Sequence, residues 1–282
     1  MAFVTGASRG IGRATSSALA ARGFDVAITA RTVREGEGRD ESHPGGDHRP
    51  VPGSLDTTAR EIEDLGGRAL AVRADLLDHR SLEAAIDRVL GEWGRIDVLV
   101  NNAVHTGPGS MERFLDLDIA WVETKLRANV VSQLVLIKLV LPGMLERGDG
   151  TIIDVTSAVA TTDPPAPSGE GGWGLGYAMT KGAFHRVAGI LAVELGPAGI
   201  FAVNVEPGYV LTERMRAAQE GLGLAGRYPG APPSVPAAVI AWLADRDTGI
   251  GTEERASLNG TTISAQRFAR ERGLHPVWWE GT

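Results

Sequence analysis

The stretch Thr5-Gly6-Ala7-Ser8-Arg9-Gly10-Ile11-Gly12 (TGASRGIG) joins a short apolar run, residues 2–5, to an amphipathic run, residues 11–22. Glycines placed between a first strand and a first helix allow a tight turn. They also let backbone N–H groups come close to a phosphate. The helix behind such a turn contributes free donors and the positive end of its peptide dipoles. The stretch therefore predicts a strand-turn-helix unit that cradles a pyrophosphate. Its spacing, Gly-x-x-x-Gly-x-Gly, differs from the Gly-x-Gly-x-x-Gly of the common dinucleotide fingerprint.

Working outward, the same alternation repeats along the chain. Further strand-like runs fall at 25–30, 69–74, 97–101, 151–156, 201–206 and 261–265. Amphipathic helical patterns lie at 55–65, 81–93, 119–145 and 177–195. Strand and helix in alternation predict an α/β fold: a doubly wound, mostly parallel seven-stranded sheet with helices on both faces, the Rossmann arrangement. No internal repeat or change of composition divides residues 1–282, so a single domain is expected. Three segments rich in Gly, Pro and polar residues interrupt the rhythm, at 33–53, 161–176 and 213–235. They read as loops, the first near the adenosine end of a nucleotide and the others as substrate lids.

Composition narrows the function. The 282 residues are 43% hydrophobic and 22% charged, enough to bury a substantial core. A formal net charge of -7 speaks against a nucleic-acid partner. The absence of cysteine excludes disulfides, thiol catalysis and cysteine-zinc sites. No uncharged apolar run reaches about 18 residues, so no membrane span is expected. With no leader-like N-terminus, the prediction is a cytoplasmic protein. His43, Asp47 and His48 share a loop, but loop histidines are usually solvated and no metal site is expected there.

Tyr177 and Lys181 (GYAMTK) stand four residues apart and so share one helix face. An ammonium beside a phenol favours the phenolate, and the pair can then pass a proton at neutral pH. Ser157 ends the fifth predicted strand in DVTSA, and its hydroxyl can donate to a carbonyl oxygen held near Tyr177. Thr156 beside it offers a second hydroxyl. Asn129 lies in an otherwise apolar helix and must find polar partners.

TGASRGIG, Asn101-Asn102-Ala103 and YAMTK together resemble the short-chain dehydrogenase/reductase family, in its motif order and over about residues 2–265. The resemblance implies an NAD(P)-dependent oxidoreductase that interconverts a carbonyl compound and an alcohol. It implies Tyr177 as the acid-base group, Lys181 as its modulator and ribose ligand, Ser157 as the carbonyl ligand and Asn129 as part of a proton relay. The cofactor would meet Gly6, Ser8, Arg9, Gly10, Ile11, Gly12, Arg31, Thr32, Asp75, Leu76, Asn101, Ala103, Tyr177, Lys181, Pro207, Gly208, Val210 and Thr212. Relatives that use NAD place an acid at the end of the second strand. Here Ala30-Arg31 stands there, and Arg9 lies in the glycine turn. Two guanidinium groups suit a 2′-phosphate, so NADP(H) is expected, with NAD(H) as the alternative. Val104 replaces the glycine usual after this motif. The substrate is expected to be a small, largely apolar carbonyl compound or alcohol, and the chain to form a homodimer or homotetramer. A nucleotide-binding sensor without turnover and an epimerase or dehydratase are the alternative readings.

Overall fold

The computed structural model describes residues 1–42, 49–221, 230–246 and 251–278. His43, Asp47, His48, Leu222, Leu224 and Trp279 lie outside the described residues. Seven strands form one sheet: β1 (Ala2–Thr5), β2 (Val26–Ala30), β3 (Ala69–Arg73), β4 (Val98–Asn101), β5 (Gly150–Val155), β6 (Ile200–Glu206) and β7 (Thr262–Ser264). Their order is β3-β2-β1-β4-β5-β6-β7, and every pairing is parallel, where the sequence predicted a mostly parallel sheet. The chain reverses direction across the sheet between β1 and β4, which opens a crevice beyond the carboxyl ends of those two strands.

The sheet is covered on both faces because its side chains alternate. Val4, Ile28, Val100, Ile153 and Val203 point to one side. There they meet α1 (Gly10–Ala20), α2 (Leu55–Asp64), α8 (Ser234–Ala244) and α10 (Ala265–Arg272). Phe3, Ala27, Leu99, Ile152 and Ala202 point to the other. There they meet α3 (His79–Trp93), α5 (Ser132–Glu146) and α6 (Leu175–Leu195). Several helices start where a side chain caps free N–H groups: Ser54 for α2, Asp78 for α3, and Asp118 for α4 (Ile119–Leu126).

Helix α4 runs into α5 through a π-helical turn, Arg127–Val131. The continuous helix Ile119–Glu146 is long and apolar enough to cross a membrane by length and composition. Its Leu136, Ile137, Val140 and Met144 are instead buried against the sheet and α3, as befits a core helix.

Two predicted loops need correction. Residues 213–235 contain α7 (Glu213–Gly221) and the start of α8, and residues 161–176 include the first turn of α6. Helix α7 is polar, and α8 is buried all round, so neither shows an amphipathic period. The sequence reading also did not foresee α9 (Thr252–Leu258) and α10. Near the tail, Trp278 packs on the first core cluster, edge-on to His275.

Candidate active site

The glycine turn sits at the crevice, and its glycines are required there. Gly6 has φ +66° and Gly10 φ +58°, conformations costly for other residues. A Cβ at Gly12 would lie 2.3 Å from the carbonyl oxygen of Gly6, and one at Gly6 would lie 2.8 Å from Ala103 Cα. Ser8 is buried, and Ile11 packs on the first core cluster. The turn is tied to β4 by Thr5, whose hydroxyl accepts from the backbone N–H groups of Asn102 and Ala103. Asn102 returns a bond from its amide to Thr5 O at 2.8 Å. These two positioning residues were not singled out in the sequence, although Asn102 belongs to the motif quoted above.

The free donor of this cradle already holds an anion. The N–H of Gly10, first residue of α1, donates to Glu213 Oε2 at 2.9 Å. A carboxylate bound at that point shows that the turn and helix end accept an anionic oxygen. Thr212 lies against Gly10, and its hydroxyl accepts from Met215 N in the first turn of α7.

Arg9 and Arg31 flank the end of β2. Arg9 reaches the carbonyls of Pro52 and Gly53, both at 2.9 Å, and Thr32 Oγ1 at 3.3 Å. Arg31 pairs with Glu41 at 2.9 Å. Each guanidinium thus has acceptors from the 33–53 segment. Asp75 accepts from Leu77 N, and Leu76 is buried, its carbonyl accepting from Ser132 Oγ. The Asn101 side chain turns inward and donates to Asp154 Oδ1 at 2.9 Å, while Ala103 O accepts from Gln133. Val104 is partly exposed.

The proton-transfer candidates gather beyond β5. Ser157 lies near Tyr177, close enough for its hydroxyl to draw the phenol pKa down. Thr156 turns away, to His185 Nδ1 at 3.2 Å, so Ser157 is the hydroxyl brought to the tyrosine. Lys181 is buried one turn further along α6, and its Nζ donates to Val155 O at 2.7 Å. Burial lowers the Lys181 pKa to about 8, against the pull of Asp154. Burial raises that of Asp154 to about 7, opposed by the Asn101 bond and the Lys181 charge. Burial also raises the Tyr177 phenol, and Ser157 and Arg214 draw it down. Asn129 sits in the π-helical turn, a distortion frequent at functional sites. Its amide clasps the backbone of His105, accepting from N at 2.6 Å and donating to O at 3.4 Å.

Beyond β6, Gly208 has φ +73° and donates to Glu206. Gln266 donates to Pro207 O and Tyr209 O, and Val210 is bridged to Ala231. The segment 207–212 is thereby fixed at the rim of the crevice. Lys125 and Arg214 were not anticipated. The only signal was a lysine at i−4 from Asn129 in an apolar helix.

This sheet order, with a glycine turn at its reversal point, defines the dinucleotide-binding class of α/β protein. The model of the short chain dehydrogenase family matches residues 1–43 and 50–223, and the chain belongs to that family as an oxidoreductase. The family uses nicotinamide cofactors. The chain is 33% identical over 229 residues to a cyclohexanol dehydrogenase of Rhodococcus sp. (strain TK6), covering 79% of this chain and 78% of the relative. It is 31% identical over 268 residues to a 3-oxoacyl-[acyl-carrier-protein] reductase of Escherichia coli K12, covering 92% and 96%. A solved 3-oxoacyl-[acyl-carrier protein] reductase of Brucella melitensis superposes with TM-score 0.70 at 29% identity, with 94% of each chain covered.

Proposed function

We propose that this chain is an NADP(H)-dependent oxidoreductase that interconverts a carbonyl compound and an alcohol. The observation that carries this reading is the gathering of Ser157 and Tyr177 beyond β5 with Lys181, buried one helical turn further along α6 and anchored to Val155 O at 2.7 Å. The glycine cradle, with its anion-binding Gly10 N–H, supports the cofactor part. A nicotinamide bound along the crevice supplies hydride exchange with carbon.

The chain's own groups handle the oxygen and the proton. In reduction, Tyr177 Oη gives its proton to the carbonyl oxygen, and the Ser157 hydroxyl donates a second hydrogen bond to it. Both donors stabilise charge that grows on oxygen, which is where such bonds count most. Lys181 lies on the same helix face, and in this reading its charge favours the phenolate left behind against the burial that raises the phenol. Asn129 holds the 105 segment and the helix in register through its two bonds to the His105 backbone, and in this reading it is also the relay residue that orders a water toward Lys181. Arg9 and Arg31 at the end of β2 support a 2′-phosphate and hence NADP(H). To bind one, they must exchange Glu41 and the loop carbonyls for phosphate oxygens.

The reading includes a cytoplasmic location and a homodimer or homotetramer. Exposed Ile190 and Val193 on α6 support the latter. The test is direct. Tyr177→Phe is expected to lower turnover by about 10²–10⁴-fold while NADPH binding survives. Undiminished turnover in that variant would reject the role. Titration with both nucleotides is expected to give the tighter Kd for NADPH, and a preference for NADH would overturn the arginine argument.

A further inference from the structure

A belt of polar side chains crosses the sheet under α6, and its central carboxyl has no part in the reading above. Asn101, Asp154, Asn204 and Thr262 stand in register on β4, β5, β6 and β7. Leu99, Ile152 and Ala202 of the second core cluster lie two residues before the first three, so these share the face that α6 covers. All three are buried. Asn101 Nδ2 donates to Asp154 Oδ1 at 2.9 Å. Asn204 Nδ2 donates to His185 O at 2.8 Å and to Thr262 Oγ1 at 3.4 Å. The His185 ring in turn joins Thr262 Oγ1 at 3.3 Å and Thr156 Oγ1 at 3.2 Å. Three oxygens of the row, Asn101 Oδ1, Asp154 Oδ2 and Asn204 Oδ1, are buried and meet no donor among the described residues.

Two of these oxygens face each other across the β5–β6 pair. Neighbouring strands lie about 4.8 Å apart, and aspartate and asparagine have the same length. Asp154 turns Oδ1 to β4, which leaves Oδ2 on the β6 side. Asn204 turns Nδ2 to β7 and α6, which leaves Oδ1 on the β5 side. Ionised, Asp154 would set a charged acceptor against a neutral one with no donor between them. A buried carboxylate with a single hydrogen bond is costly. One proton on Oδ2 makes the carboxyl a donor and satisfies both atoms. Lys181 does not supply the missing donor, because its Nζ gives its bond to Val155 O at 2.7 Å. Among the described residues it is the only charge that acts on Asp154. The other ionisable group over the belt, His185, is kept from charging by burial and by Arg186.

We infer that Asp154 is held as a carboxylic acid, its Oδ2–H given to Asn204 Oδ1, and that it serves Lys181 as a positioning residue by withholding a counter-ion from the buried ammonium. The catalytic consequence rests on the oxidoreductase reading above. A lysine paired with a carboxylate holds its proton firmly, and its charge is neutralised by its partner. Beside a neutral acid, the charge of Lys181 is left to act on Tyr177.

Asp154→Asn copies the acid form, with one donor and one acceptor, and Asp154→Leu copies only its volume. At about pH 6, where ordinary carboxyls are ionised, the infrared difference between the wild-type full chain and Asp154→Asn is expected to show a protonated-carboxyl band. NMR of isotope-labelled lysine gives a second view, because the chain's lysines are Lys125, Lys138 and Lys181. The Lys181 Cε resonance of the wild type is expected to move in two steps, the first as Asp154 releases its proton. Asp154→Asn is expected to leave one step, at lower pH, since no carboxylate then holds the ammonium proton. At about pH 6 this variant should melt no lower than the wild type and several degrees above Asp154→Leu, which leaves Asn101 and Asn204 without partners. A missing carboxyl band, a single lysine step in the wild type, or an asparagine variant less stable than the wild type would sink the proposal. The lysine titration is read on the wild type, so it decides even where a variant fails to fold. Tyr177→Phe tests the other reading separately. If that variant still turns over while the band is present, Tyr177 loses its role and the proton on Asp154 stands. If turnover is lost but the band is missing, only the inference about Asp154 fails.

Discussion

Asp154 and Lys181 are two buried ionisable groups whose burial opposes the charge that each carries at neutral pH. The folded pKa of Asp154, about 7, lies above the 3.8 of an ordinary aspartate. Between those values the folded chain keeps a proton that the unfolded chain releases. Its contribution to stability therefore falls as pH rises from about 4 to about 7. Lys181 acts in a different window. Its folded pKa, about 8, lies below 10.5, so the folded chain binds fewer protons there and stability rises as pH climbs between the two. Asp154→Asn removes the first slope. Urea unfolding is expected to show the variant gaining on the wild type by about 2 kcal/mol between about pH 5 and pH 7.5. A gap that stays constant over that interval would mean that Asp154 titrates as an ordinary carboxylate. The chemistry of these residues was only partly legible in the sequence. The Tyr177–Lys181 spacing was readable because it is local. The choice of Ser157 over Thr156 turns on which hydroxyl lies beside Tyr177, and that is visible only once His185, two turns further along α6, takes Thr156.

Helix α7 closes on α1 through one bond, from Gly10 N–H to Glu213, between residues 203 apart in the chain. No local pattern could have shown it, and the polar composition of α7 hid the helix itself among residues read as a loop. In the proposed function this contact opposes ligand binding, because a pyrophosphate at the glycine turn would have to displace a carboxylate from the same donor. Arg13 lies 3.9 Å from the other oxygen of Glu213, too far for a strong bond to hold it. Glu213→Gln keeps the shape and removes the charge. It is expected to tighten NADPH binding about three- to tenfold, read by quenching of tryptophan fluorescence. A weaker Kd would show instead that Glu213 holds α7 over the bound cofactor.

At the scale of the molecule, the alternation of strands and helices was written in the sequence because each strand and helix carries its own period. Strand order was not, since β1 pairs with β4 through a connection that no periodicity records. Helix α8 was missed for a related reason: a helix buried on every side has no polar face to mark it. The outer surface of α6 presents the opposite problem, apolar residues with nothing over them. Val193 is 80% exposed and Ile190 51%, and Val131 and Leu134 are exposed at the junction of α4 and α5. Isolated exposed apolar residues are ordinary, but four on two neighbouring core helices of one face suggest a surface that a second copy covers. Burying that face twice over a two-fold axis would place each α6 beside its partner's, with no new element required. Val193→Asp puts a charge at the most exposed of these positions without touching either core. Light scattering is expected to report a dimer or tetramer for the wild type and a smaller species for the variant. Its melting temperature should also become dependent on protein concentration in the micromolar range for the wild type alone. A wild type that scatters as a monomer at every concentration would leave the α6 face as plain surface and remove the oligomer from the proposed function.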